Sequence, residues 1–281
     1  MTPDATSLPV AAKPGPTGFA EQFKEGVKTI GGALLIALAL RSFLVEPFNI
    51  PSGSMIPRLL VGDYLFVSKW SYGYSRYSFP LGIVPIEGRI LGSAPTRGDV
   101  AVFKDPKDNS TDFIKRVIGL PGDQIQMRGG VLFINGTAVP KVREADFVVP
   151  QSGNDDCSRD HATGNQAIRG TSGEMVCSYP RFRETLPNGR SYDVIDLGMT
   201  QQDNTDTYLV PAGHYFMMGD NRDDSEDSRF SMPEGGIGYV PEANLVGHAR
   251  VLWFSLDGNE HWYEPWTWPG AIRWSRIGTL L

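Results

Sequence analysis

Histidine and cysteine are both scarce in this 281-residue chain, with four of the first and two of the second. None of the histidines (His161, His214, His248, His261) stands in a motif that suggests a general base, so a Ser-His-Asp arrangement has little to rest on. Two cysteines without a neighbouring histidine pair make a poor zinc site. No Gly-rich loop followed by Lys-Ser or Lys-Thr occurs, which removes the motif that nucleotide hydrolysis needs. The net charge is −6, and no basic stripe offers a footprint for phosphates, which argues against nucleic acid. The chain is therefore expected to need no cofactor or metal and to take neither nucleic acid nor nucleotide as partner.

Long apolar runs are also few. One stands near the N-terminus, from Ile30 to Val45, interrupted by Arg41. Its unbroken part, Ile30 to Leu40, is short for a span, and Arg41 near one end can snorkel to the interface. A buried core helix and a cleaved signal are the rival readings. The second lacks a small-x-small site directly after the run, where Arg41, Phe43 and Glu46 stand instead. An uncleaved anchor over residues 29–46 is the reading that remains. Lys13, Lys24 and Lys28 on its N-terminal side place that end in the cytoplasm and the body on the exported side. Residues 1–28, with four prolines and small residues in the first 17, are expected to be a largely disordered tail.

After Glu46-Pro47, helical periodicity is scarce. Short β-rich runs broken by Gly, Pro, Asn and Asp take its place. Tyr64–Val67, Asp99–Phe103, Phe113–Ile118, Val131–Ile134, His214–Met218 and Ala249–Phe254 are predicted strands. Asn135-Gly136 predicts a hairpin turn. Composition turns polar and loop-rich between Val142 and Thr207, with strand-like pieces at Phe147–Val149 and Tyr192–Ile195. The expected fold is mainly β. An antiparallel catalytic core is formed by residues 47–123 and 211–281, an inserted non-catalytic β-rich subdomain by 124–210, and one N-terminal transmembrane helix precedes them. Cys157 and Cys177 both fall in the insertion. They are either two free thiols or, as an exported body favours, a disulfide.

The chemistry concentrates on Ser54 and Lys115. A serine becomes a nucleophile when a base removes its proton, and a lysine can be that base if burial keeps it neutral. Lys115 lies in a strand pattern that puts it on the face of Phe113 and Val117, opposite Ile114 and Arg116. An apolar face there would desolvate it. Oxyanion donors would then be the Ser54 backbone N–H and the Ser52 hydroxyl, with Gly53 allowing the tight turn between them. The acidic run Asp220–Asp227 fails as a calcium loop, since the sixth position is Ser225 rather than Gly and the twelfth is Ser231 rather than Glu.

Three segments carry a resemblance. IPSGSMIPRLLVGDYLFVSKW (50–70), RGDVAVFKDPKDNSTDFIKRVIGLPGD (97–123) and MMGDNRDDSEDSRF (217–230), with GYVPEANLVG (238–247) continuing the match, resemble bacterial signal peptidase I. The three motifs stand in the right order, and the resemblance covers the anchor and nearly all of the body except the insertion. The resemblance implies a Ser-Lys endopeptidase that cuts signal peptides from exported preproteins after small residues at −1 and −3. It implies Ser54 as nucleophile, Lys115 as base and Ser52 as an oxyanion donor. Ser225 would orient the lysine, and Asp227 and Arg229 would support the site. Phe48, Ile50, Pro51, Met55, Val102 and Ile114 would line the substrate pockets, with the substrate added as an extended strand near Ile114. The expected place is the bacterial inner membrane, single-pass, with the catalytic body periplasmic. The departures are a single visible anchor, where some members have two, and cysteines that lie in the variable insertion. A Ser-Lys peptidase for one narrow substrate, such as a pilus protein or itself, and a non-enzymatic anchored β-domain adaptor are the alternatives. The tryptophans Trp253, Trp262, Trp266, Trp268 and Trp274 are either packing or a surface that dips into lipid.

Overall fold

The computed structural model of the protein describes residues 18–79, 82, 84–155, 157, 167–261 and 263–281. The first 17 residues of the expected tail, His161 and Trp262 lie outside them.

Helix α1 runs from Phe19 to Phe43. Its segment Ala20–Phe43 is long and apolar enough to cross a membrane, since 24 residues at 1.5 Å each reach about 36 Å against a hydrocarbon core of about 30 Å. The helix begins earlier than the expected anchor. Residues 19–28, assigned above to a disordered tail, are helical, because charged residues on this turn pair locally, as Lys28 does with Glu25 at 3.2 Å. It also ends earlier, at Phe43, and Val45 and Glu46 belong to the first strand.

The body from Ser42 onward forms one compact unit. In chain order its first strands are β1 (Val45–Asn49), β2 (Asp63–Ser68), β3 (Val100–Lys104) and β4 (Asp112–Gly119). Next come β5 (Gln124–Arg128), β6 (Val131–Ile134), β7 (Thr137–Ala138), β8 (Lys141–Arg143) and β9 (Phe147–Pro150). These are followed by β10 (Ala167–Arg169), β11 (Met175–Tyr179), β12 (Arg181–Thr185) and β13 (Ser191–Ile195). The chain closes with β14 (Tyr208–Leu209), β15 (His214–Met218), β16 (Val240–Pro241) and β17 (Leu245–Ser255).

The main sheet has seven strands in the order β1-β2-β17-β3-β4-β15-β16, and its pairings are antiparallel. The expected mainly antiparallel β fold is borne out. Pro47, which has no N–H to give, sits on β1 at the edge of this sheet, where a proline costs no ladder bond. Residues between β4 and β15 build three smaller sheets, β14-β5-β6-β7, β13-β12-β8 and β10-β11-β9. The Asn135-Gly136 turn joins β6 to β7 with φ of 52° and 78°, the left-handed pair such a hairpin needs.

Alternation along the strands sends one face of the main sheet into a core around Ile50, Met55, Leu65, Val102 and Leu252. A second core packs Phe216 and Met218 of β15 against Ile125, Leu132 and Val194. A third gathers Ile56 and Leu60 with Val149, Ile195 and the Cys157–Cys177 disulfide. The expected pairing of the two cysteines is thus present.

Candidate active site

Ser54 sits in the connection between β1 and β2. That connection is pinned at its base, where Ile50 N–H donates to the Asp63 carbonyl at 2.8 Å and Gly62 N–H to the Ile50 carbonyl at 3.0 Å. The Asp63 carboxylate is buried and accepts from Leu60 N–H at 2.8 Å and the Ser255 hydroxyl at 2.7 Å, and it pairs with Arg276. Within the turn, Ile56 N–H donates to the Gly53 carbonyl at 3.0 Å and Leu59 N–H to the Met55 carbonyl at 2.9 Å. Met55 and Leu59 plug into the core, and Ser54 is held at the wall with 7% exposure.

Lys115 lies on β4 opposite Ala101, between Ile114, which pairs with Val102, and Arg116, which pairs with Val100. It is 3% exposed, and its Nζ is 2.6 Å from Ser54 Oγ. Burial lowers its pKa from the ordinary lysine value to about 8, against the opposing pull of Asp227 and Asp224. Both faces of β4 are buried at this point, since Arg116 and Ile118 on the opposite face are as enclosed as Lys115 and Val117, so alternation alone does not set the burial of Lys115.

The loop after β15 closes over this pair. Asn221 N–H donates to the Ser54 carbonyl at 3.1 Å, and its side chain reaches the Gly53 carbonyl at 3.4 Å. Gly219 makes this approach possible, because a Cβ there would stand 2.6 Å from the Ser54 carbonyl oxygen and collide with the Ser225 hydroxyl. Asp227 staples the loop, accepting from Gly219 N–H at 3.0 Å and pairing with Arg229 Nε at 2.9 Å. Burial alone would raise the Asp227 pKa. The Arg229 charge, its hydrogen bonds and the Gly219 N–H outweigh that and hold it below the usual carboxylate value. Arg229 in turn donates to the Arg222 carbonyl at 2.6 Å.

Two further buried ion pairs brace the loop from below. Arg116 grips Asp220 through Nε at 2.7 Å and Nη2 at 2.5 Å. Arg222 binds Glu184 of β12 at 2.7 Å, and Glu184 also accepts from Tyr192. Sequence reasoning passed over Gly219, Asp220, Asn221 and Arg222, although all four lie in the Met217–Phe230 segment. Charged and amide residues after a strand look like a solvated turn until their partners, 38 to 168 residues away, are known.

Of the expected pocket residues, Ile50, Met55 and Val102 belong to one buried apolar cluster, and Phe48 and Ile114 pack against it. Pro51 is outside that cluster and exposed. It borders a cavity of about 220 Å³ together with Ser52, Gly53 and Asn221, whose far wall is Asn154, Asp155 and Tyr179 of the insertion. Ser52 is exposed at this rim. Ser225 is buried beside Gly219, but its hydroxyl has no hydrogen-bond partner among the described residues, and no bond from it to Lys115 forms.

Comparison with known proteins decides the family. The family described as "Signal peptidase, peptidase S26" matches residues 23–254. Signal peptidase I of Rickettsia conorii is 39% identical over 231 residues, 79% of this chain and 76% of that relative. Signal peptidase I of Rickettsia typhi is 38% identical over 231 residues with the same shares. The chain belongs to the signal peptidase, peptidase S26 family. The three resembling segments all fall inside the matched span, and a peptidase displaces the adaptor as the reading of this body. A solved signal peptidase I from Enterococcus faecalis aligns with 56% of this chain and 97% of its own at 23% identity. Its TM-score of 0.29 is too low to bear on topology.

Proposed function

We propose that this family member removes signal peptides from exported preproteins with Ser54 as nucleophile and Lys115 as general base. The observation that carries the proposal is the 2.6 Å contact between the Lys115 amine and the Ser54 hydroxyl in a site closed to bulk water. In the neutral form, Lys115 accepts the Ser54 proton as Oγ attacks the scissile carbonyl. It then gives a proton to the departing amine and draws one from the water that releases the acyl-enzyme. The Ser54 N–H and the Ser52 hydroxyl are the proposed oxyanion donors, Ser52 turning inward from the rim when substrate fills the cleft. Asp227 and Arg229 act as positioning residues through the loop that holds the Ser54 carbonyl. Ser225, buried next to Gly219 with a hydroxyl unpartnered among the described residues, is proposed to orient the lysine amine while that amine keeps its contact with Ser54.

Substrate enters as an added strand. β15 pairs with β4 only as far as Arg116, so the Asp112–Lys115 half of β4 has β3 on one side and no strand on the other among the described residues. A peptide extended there lies beside the apolar cluster of Phe48, Ile50, Met55, Val102 and Ile114. Shallow pockets between these side chains reject bulky residues at −1 and −3 by overpacking, at about 1–3 kcal/mol each. Pro51 on the rim abuts the bond to be cut.

The span Ala20–Phe43 anchors the protein in the inner membrane of a bacterium, with Lys24 and Lys28 on the cytoplasmic side and the body facing outward. The exposed side chains of Trp253, Trp266, Trp268 and Trp274 suit contact with lipid headgroups.

The test is cleavage of preproteins that differ only at −1, by wild type and Ser54→Ala. Cutting after Ala but not after Leu, by wild type alone, is the expected result. Equal cutting of both substrates would remove the pocket assignment, and activity in Ser54→Ala would remove the nucleophile.

A further inference from the structure

A second cavity, of about 620 Å³, opens where the inserted strands meet the main sheet. Arg116 reaches into it from β4, and its neighbour Lys115 points to the other face of that strand. Arg58 joins from the Ser54 connection, Arg250 from β17 and Arg276 from the C-terminal segment. The insertion adds Arg181 and Arg183 of β12 and Arg190 just before β13. Against these seven arginines, Asp193 is the one carboxylate among the lining side chains. Three more carboxylates pair with them from behind the wall. Asp220 holds Arg116, Asp99 holds Arg190 and Asp63 holds Arg276, while Asp193 is shared by Arg181 and Arg183.

Seven cations against four anions leave a surplus of three positive charges. The surplus centres on two residues. Arg250 donates to the hydroxyls of Ser68 and Ser71 at 3.0 and 2.9 Å, and Arg58 to the Leu280 carbonyl. Neither has a carboxylate partner among the described residues. The crowding registers on neighbouring groups. Arg58 is held below the ordinary arginine value by burial and then by Arg116. His248, on the same wall, is lowered to about 4 by burial and by Arg250, Arg190 and Arg116, despite Asp99. A merely solvated basic face spreads its charges over a convex surface. Here they converge in a hollow formed by five separate parts of the chain.

We propose that this cavity binds an oxyanion of the phosphate class carrying two or more negative charges. Guanidinium forks match phosphate oxygens in pairs, and a multivalent anion suits the surplus better than a single carboxylate does. The volume admits a group of pyrophosphate size or a phosphorylated headgroup. Two sources share this chemistry, a soluble phosphate compound and an anionic lipid from the bilayer in which the chain is anchored. The proposal stands independently of the roles of Ser54 and Lys115.

The test uses the full chain in phosphatidylcholine nanodiscs, titrated with inorganic pyrophosphate by calorimetry at constant ionic strength set with chloride. Saturable binding with one site per chain is expected. Arg58→Gln/Arg250→Gln, which strips no carboxylate of its partner, should weaken it at least tenfold, and Arg128→Gln on β5 should leave it unchanged. Each single substitution should weaken it several-fold, which serves if the double variant does not fold. A second arm adds cardiolipin, whose two phosphates carry two negative charges, to the discs. Loss of apparent pyrophosphate affinity, with cardiolipin retained on the protein in native mass spectrometry, identifies the lipid source. Unchanged affinity identifies the soluble one. The proposal is overturned if wild type binds neither pyrophosphate nor cardiolipin saturably, or if the double variant binds as wild type does.

Discussion

Lys115 bears an electrostatic cost that its neighbours only partly relieve. Its pKa in the folded chain, about 8, lies below the ordinary value of 10.5, so between those values the unfolded chain binds the extra proton. Stability therefore rises with pH across that window, and below pH 8 the full cost is present. The shift corresponds to roughly 3 kcal/mol. Lys115→Met should consequently raise stability near neutral pH by on the order of 2 kcal/mol, allowing about 1 for the lost bond to Ser54, as read by denaturant unfolding. A destabilised variant would mean that the amine is not costly where it sits. Cleavage by wild type should climb about tenfold per pH unit below 8 and level off above it, as Lys115 becomes neutral. A rate that is flat from pH 6 to 9 would contradict a lysine base. Ser52→Ala should lower turnover by about 10²–10³ with little change in substrate affinity if its hydroxyl serves the oxyanion. An effect on affinity alone would count against that role. Ser54 and Lys115 stood out only as a pair within the resembling segments, because a Gly-Ser turn or a lysine on a strand is weak evidence alone. Their contact was not legible, since it joins positions 61 residues apart.

At the scale of elements, the loop from Gly219 to Phe230 holds the Ser54 turn through the Asn221 N–H, which donates to the Ser54 carbonyl at 3.1 Å. Gly219→Ala places a methyl group against the Ser54 carbonyl oxygen, which is backbone and has no room to retreat. A misplacement of about 1 Å at the nucleophile costs around 10²-fold in rate, so a loss of that size with folding intact is expected. Near-normal kcat in Gly219→Ala would show that the loop does not hold the turn. Asp227→Asn should destabilise by about 3–5 kcal/mol, because Arg229 is then buried without its anion. Short β-rich runs between turn residues made β2, β3, β4, β6, β15 and β17 legible, and the β6–β7 turn followed from Asn135-Gly136. The start of α1 was not legible, because the charged turn before Ile30 reads as tail until its local ion pairing is seen. Nor were the Arg116–Asp220 and Arg222–Glu184 pairs, for no local pattern marks a charge whose partner is distant.

For the whole molecule, the proposed catalytic cleft is walled by both the main sheet and the segments between β4 and β15. The cavity beside Ser52 has Asn154, Asp155 and Tyr179 as its far wall, and the Cys157–Cys177 disulfide fixes that wall in the core cluster of Ile56 and Leu60. A bridge across 20 residues contributes about 3 kcal/mol by constraining the unfolded chain. Replacing both cysteines with alanine should lower stability by about that amount and reduce cleavage through a raised KM. Unchanged kinetics would show that this wall does not meet substrate. The central claim concerns the buried pair. A preprotein with Ala-x-Ala before its mature end should be incubated in detergent with wild type and with Lys115→Met, and the N-terminus of any product sequenced. Cutting after the second Ala by wild type, with at least a thousandfold loss in a folded Lys115→Met, is the predicted result. Cutting at the same bond by Lys115→Met at a comparable rate would contradict the account.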